Sequence, residues 1–178
     1  VLFDQLKQGT LKAFDLPGTL TIAGNTQLRT LESSNVVAKL PGSDAKLATE
    51  NVVFSAHLDH LGTGAAVKGD AIYNGAVDNA LGIGIMLEAA RSASLLSNKP
   101  KRSMVFIAVT GEEKGLLGAD YFASNPTVPK NSIVANINMD MPVILTELLD
   151  VVTIGVDHSS LHKQAEQAAT DIGFLLSP

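Results

Sequence analysis

Met104-Val105-Phe106-Ile107-Ala108-Val109-Thr110-Gly111-Glu112-Glu113 is the stretch from which the fold is read. The unbroken apolar run predicts a buried strand. Two adjacent carboxylates follow it, with Gly111 before them and Gly115 and Gly118 after. Neighbouring glutamates at the mouth of a hydrophobic strand repel each other and lose hydration. A bound cation would offset both costs. An acidic, solvated turn is the ordinary alternative, since surface carboxylates are the default.

The rest of the chain suits a globular α/β domain. Its 178 residues are 46% hydrophobic and 17% charged, enough for a substantial core. A net charge of -5 argues against nucleic-acid binding, which favours a basic stripe. Cysteine is absent, which excludes thiol catalysis, disulfides and cysteine zinc sites, so a metal would need His, Asp and Glu. No apolar run approaches the ~20 residues of a membrane span. The chain starts at Val1 without methionine and stops at Leu176-Ser177-Pro178 with no evident end to the fold. A processed or truncated piece of an exported protein, periplasmic or secreted, is the expectation. Oligomeric state is not legible.

Residues 1–18 predict a short helix around Leu2 and Leu6, then a Pro17-Gly18 turn. The weak alternation of Leu20, Ile22 and Leu28 within residues 19–31 predicts a hairpin or edge strand. Strands are expected at 35–40, 51–56, 102–109, 132–138 and 150–156. Residues 61–77, rich in glycine, read as a long loop, of a length that is often functional. A helix starts near Asp78 or Asn79, with Leu81, Ile85, Ala89 and Ala93 as its buried face. Further helices are expected at 115–124 and 159–172. This order predicts helices on both faces of a mostly parallel sheet, with ligands gathered beyond the carboxyl ends of the strands.

The candidate ligands all lie at such ends. His57 and Asp59 are two apart where a strand finishes, so extended geometry points both to one side. His57 could bind a metal while Asp59 accepts its other ring N–H. A chance His-x-Asp in a surface turn is the bland alternative. Asp78 is either an N-cap or a carboxylate bridging two metals. A cap would fold back on the helix amides, whereas a bridge would face the cleft. Asp140 follows a strand among methionines, a setting that calls for a partner.

Four motifs in order resemble the co-catalytic zinc exopeptidases of the bacterial leucyl aminopeptidase and glutamate carboxypeptidase type. They are Ser55-Ala56-His57-Leu58-Asp59-His60, residues 74–82 around Asp78, Gly111-Glu112-Glu113-Lys114-Gly115-Leu116-Leu117-Gly118, and Asn138-Met139-Asp140-Met141. The resemblance covers residues 35–178 and implies a three-layer α/β fold with a mixed, mostly parallel sheet, its C-terminal part missing. Residues 1–34 resemble the segment after a protease-associated insert domain in some members. The resemblance implies that His57 and Asp140 hold one zinc, Glu113 the other, and Asp78 bridges them. It implies that Asp59 orients His57. Glu112 would be the general base, taking a proton from the water between the metals and passing it to the leaving amine.

The family has one further histidine ligand downstream of the Asp140 position, beside Glu113. His60, in the first motif, reads as lining the cleft or supporting a ligand. His158 and His162 read as helix-start and surface residues. The last ligand is therefore expected beyond Pro178, and Glu113 is expected to look unpaired. Two zinc ions are expected in a complete protein, with one or none held here. The implied function is a zinc aminopeptidase acting on peptides. The alternatives are a carboxypeptidase of the glutamate carboxypeptidase type and a non-catalytic module that keeps the fold.

Overall fold

The computed structural model describes residues 1–142 and 147–177. Its strands are β1 (Val36–Leu40), β2 (Asn51–His57), β3 (Gly62–Val67), β4 (Asp70–Tyr73), β5 (Ser103–Val109), β6 (Ile133–Asn138), β7 (Asp150–Val152) and β8 (Leu175–Ser177). Its α-helices are α1 (Leu2–Lys7), α2 (Gly82–Leu95), α3 (Leu117–Ser124) and α4 (His162–Asp171). The chain divides into two units, Val1–Glu32 and Ser33–Pro178.

The second unit is built on a four-stranded sheet ordered β1-β5-β2-β6. Strands β2, β5 and β6 run parallel, and β1 pairs with β5 antiparallel. From β2 the chain steps one place to β5, then returns two places to β6. Right-handed crossovers in opposite directions place their helices on opposite faces. The two cores match that expectation. Val105, Ile107 and Val109 of β5 pack with Val53 and with Phe122 of α3. Phe106 packs with Ala56 and with Met86 of α2 on the other face. Phe54 and Phe106 are register partners, and their rings stack 5.2 Å apart. The apolar run thus serves two layers at once, which is why β5 has no polar alternation. This is the mixed, mostly parallel α/β architecture that the motifs implied.

Several expectations change. Residues 61–77 are not one loop, because β3 and β4 form a hairpin. Lys68 (φ 51°) and Gly69 (φ 89°) supply the two left-handed positions that a tight hairpin turn needs. Helix α2 starts later than residue 78 and buries Gly82, Met86 and Ala93, while Ile85 is exposed. The four-residue spacing is right at Ala93 and at Ala89, which packs on the core, but the next position inward is Met86 rather than Ile85. Helix α3 begins at Leu117, after a 3-10 turn at Glu112–Lys114. Strand β7 ends at Val152, and β8 pairs with it in parallel across α4.

In the first unit, α1 buries no residue. Residues 19–31 form no strand, and Leu20, Ile22, Leu28 and Leu31 are exposed. Alternation makes a strand only where a ladder partner and a covered face exist.

Candidate metal centre

The parallel strands deliver the candidate residues to one end of the sheet. Strand β2 closes on His57, which is buried at 3% exposure. The Leu58 amide still bonds the Val109 carbonyl (2.8 Å), so the turn through Asp59 and His60 leaves the sheet beside the end of β5. On the other flank, the Met139 amide donates to the Ser55 carbonyl (2.9 Å) and carries Asp140 alongside.

The glutamate turn is clamped by Asn35. Its Oδ1 accepts the Thr110 amide (3.1 Å), and its Nδ2 donates to the Gly118 carbonyl (2.8 Å). Gly118 in turn donates to the Thr110 carbonyl at 2.8 Å. A Cβ at 118 would lie 2.7 Å from the Thr110 nitrogen, so only glycine allows this closure. Glu112 and Glu113 stand on the turn so formed.

Asp78 is not a cap. Its backbone (φ -112°, ψ 89°) lies outside the helical region, and its carboxylate faces the histidines. Capping falls instead to Asn79, which is 2% exposed. Its Oδ1 accepts the amides of Gly82 (3.1 Å) and Met141 (3.3 Å), and its Nδ2 donates to the Met139 carbonyl (2.9 Å). Asn79 thereby ties the start of α2 to both neighbours of Asp140. A buried asparagine after an aspartate was the available signal for this role, and only the cap half of it could be read.

Two groups of side chains converge. In the first, Nε2 of His57 lies 2.9 Å from Asp78 Oδ1 and 3.3 Å from Asp140 Oδ1. In the second, Nδ1 of His60 lies 2.5 Å from Glu113 Oε1 and 3.7 Å from Asp78 Oδ2. Within each group the candidate ligand atoms lie within 4.8 Å of one another. Asp78 belongs to both, offering one oxygen to each histidine.

Asp59 reaches His57 through its carbonyl, at 2.9 Å from Nδ1, rather than through its carboxylate, which stands 3.9 Å away. The carboxylate accepts the Glu112 amide at 3.3 Å. The chain turns after His57, so extended geometry does not continue to residue 59 as the spacing suggested. His60 faces Glu113 and Asp78. Glu113 Oε1 nonetheless has no well-directed hydrogen-bond partner among the described residues, in line with the expectation that Glu113 looks unpaired. His158 sits in a 3-10 turn, and His162 pairs with Asp157 at 2.9 Å, both outside the centre.

The donor set suits a cation. Nδ1 of His57 faces a carbonyl and so holds the ring proton, leaving the Nε2 lone pair aimed at two carboxylate oxygens. That arrangement requires either a second ring proton or a metal. Burial opposes the proton, but the Asp59 carbonyl and the Asp140, Glu112 and Asp78 carboxylates together hold the His57 pKa above the ordinary imidazole value. Burial raises the Glu112 pKa, since it disfavours the charged carboxylate; Asp140, Glu113 and Asp78 add to this, and His57 opposes it. His60 Nδ1 and Glu113 Oε1 are buried and, despite their proximity, have no well-directed hydrogen-bond partner among the described residues. No lysine or arginine among the described residues forms an ion pair with Asp59, Asp78, Glu112, Glu113 or Asp140.

Fold and site together define an α/β protein whose strand ends carry His/Asp/Glu groups that could hold divalent cations. The chain belongs to Peptidase family M28, whose profile matches residues 35–177. It is similar to BSAP, a zinc aminopeptidase from Bacillus subtilis, with a TM-score of 0.62 and 26% identity over 80% of this chain and 34% of that one. It shares the fold of the Porphyromonas gingivalis glutaminyl cyclase (TM-score 0.63, 20% identity, 81% of this chain and 54% of that one). Leupeptin-inactivating enzyme 1 of Streptomyces exfoliatus is 31% identical over 131 residues, 70% of this chain and 27% of that protein. A probable zinc metalloprotease of Pyrenophora tritici-repentis is 45% identical over 74 residues, 42% of this chain and 16% of that protein. The chain thus spans 16–27% of the length of these two relatives. No helix among the described residues is long and apolar enough to cross a membrane.

Proposed function

We propose that this chain carries the metal-binding and proton-transfer residues of a zinc-dependent exopeptidase, an aminopeptidase that hydrolyses the first peptide bond of its substrate. One observation carries the reading. A single carboxylate, Asp78, offers one oxygen to a histidine–aspartate pair and the other to a histidine–glutamate pair. Bridging two cations is the ordinary use of a carboxylate so placed. His57, Asp78 and Asp140 would hold one zinc, and Asp78 with Glu113 the other. Nitrogen and carboxylate donors without sulfur suit zinc, though manganese or cobalt could occupy the same positions. The similarity to a zinc aminopeptidase supports the choice of peptide amino termini.

When bound, the zinc ions polarise the scissile carbonyl and ease deprotonation of water. The protein's own residues do the rest. Glu112 accepts the proton of the attacking water and returns it to the leaving amine. Its raised pKa suits a group that must both take and give a proton. The Asp59 carboxylate holds the Glu112 amide, which sets where that side chain starts. The Asp59 carbonyl keeps the proton on His57 Nδ1 and leaves Nε2 free as a ligand.

The test is metal analysis of the whole protein that carries this chain, with hydrolysis of an aminoacyl anilide. Two zinc ions per chain, and turnover abolished by a chelator and restored by zinc, are expected. A folded protein with neither metal nor turnover would overturn the reading and leave a binding module.

A further inference from the structure

We propose that His60 is a direct metal ligand, binding through Nδ1 a divalent cation that it shares with Asp78 Oδ2 and Glu113 Oε1. The inference rests on the two-metal reading above and supplies its second position with a nitrogen donor from the turn that follows β2.

The geometry has three parts. The first is distance. Two ligand atoms about 2.0–2.1 Å from a tetrahedral zinc stand about 3.3 Å from each other. The His60 contacts of 2.5 and 3.7 Å bracket that spacing, as the His57 contacts of 2.9 and 3.3 Å lie around it. The second is satisfaction. His60 Nδ1 and Glu113 Oε1 are buried, face each other and yet lack a well-directed hydrogen bond among the described residues. Atoms aimed at a common point rather than at each other show this pattern, and leaving them so without a ligand is costly.

The third part is how the chain holds the histidine. Gly75 has φ +66°, and a Cβ there would lie 2.7 Å from the His60 Cβ and 2.8 Å from the Asp78 carbonyl oxygen. The segment entering the Asp78 turn is therefore packed directly on His60. Imidazole and bridging carboxylate are fixed against each other before any ion arrives. The result repeats the first group: a histidine, one oxygen of Asp78 and a carboxylate from the neighbouring strand end.

Titration of the metal-free protein with Co2+, followed by visible absorption and equilibrium dialysis, tests the assignment. Wild type should take two Co2+. His60→Ala should keep one at wild-type affinity and bind the second more weakly by over ~100-fold, beyond the roughly 10–100-fold cost of losing an outer partner. Gly75→Ala should weaken the same ion, because its methyl displaces His60. Proton NMR of the Co2+-loaded wild type gives an answer independent of variant folding. Strongly shifted exchangeable imidazole signals assigned to both His57 and His60 are expected, whatever a histidine beyond Pro178 adds. Two Co2+ bound with no shifted signal from His60, or His60→Ala retaining both ions at wild-type affinity, overturns the assignment of His60 alone. Wild type binding fewer than two Co2+ overturns the two-metal reading, and His60 with it.

Discussion

The backbone carbonyl of Asp59 lies 2.9 Å from Nδ1 of His57, while the Asp59 carboxylate bonds the amide of Glu112. One residue thus serves two members of the centre through different atoms. Orientation of His57 by a carbonyl survives any side-chain change at position 59. Placement of Glu112 does not. Asp59→Ala should therefore lower turnover about 10–100-fold, the equivalent of roughly 1.5–3 kcal/mol for a hydrogen bond to a charged group. Metal affinity at His57 should stay near wild type. Zinc titration beside steady-state kinetics measures both, and loss of the His57 metal would show that the carboxylate does the orienting after all.

The proposed function gives the adjacent Glu112 and Glu113 different tasks. Glu112→Gln should leave the metal content at two and lower kcat by about 10²–10⁴-fold, the usual worth of a positioned general base. Glu113→Gln should instead reduce occupancy of one metal. Identical behaviour of the two variants in metal analysis would refute this division.

Asn79 joins the start of α2 to the chain on both sides of Asp140 through three hydrogen bonds. Asn79→Ala strands the Met139 carbonyl and the amides of Gly82 and Met141. With about 0.5–1.5 kcal/mol per bond, a loss of roughly 2–4 kcal/mol in urea unfolding is expected. Affinity for the metal held by Asp140 should fall in the same variant.

Ile107 is 1% exposed and sits among Val53, Val105, Val109 and Phe122. Ile107→Ala should cost about 2–5 kcal/mol in the same assay. Ile154 is fully exposed, so Ile154→Ala should change stability by less than about 0.5 kcal/mol.

Asp44 accepts the amides of Leu47 (2.9 Å) and Lys46 (2.8 Å), which hold its pKa below the ordinary carboxylate value. A carboxylate depressed in the folded state stabilises above its unfolded pKa, and that contribution is lost as pH falls through the folded value. Asn at this position can still cap the turn but cannot titrate. The stability gap between wild type and Asp44→Asn should therefore be constant above about pH 5 and narrow as pH falls below about 4. Thermal melts across that range read the effect, and a gap that widens on acidification would contradict it.

Much of this was legible before any coordinates. Apolar runs reported the central strands β2 and β5, because a strand covered on both faces must be largely apolar. The edge strands β1 and β6 are more exposed and were read from shorter runs with β-branched residues. The residues ending those runs are the ones that converge at one end of the sheet, as expected where ligands of open α/β sheets gather at carboxyl ends. The β3–β4 hairpin was hidden because β3 is glycine- and alanine-rich and fully exposed, and β4 is only four residues long. The buried face of α2 was read correctly at Ala89 and Ala93 and missed at Met86, because alanine and glycine carry little contrast between faces.

Sequence alone determined which side chains could form a metal centre and which strands deliver them, because hydrophobic runs and chemical types are local properties. Tertiary structure decided which of them meet. Strand β2 lies between β5 and β6, so the turn at its end is flanked by Glu113 on one side and Asp140 on the other. His57 therefore faces Asp140, His60 faces Glu113, and Asp78 stands between the two histidines. That pairing follows from the spatial order of strands far apart in the chain, which no local pattern records.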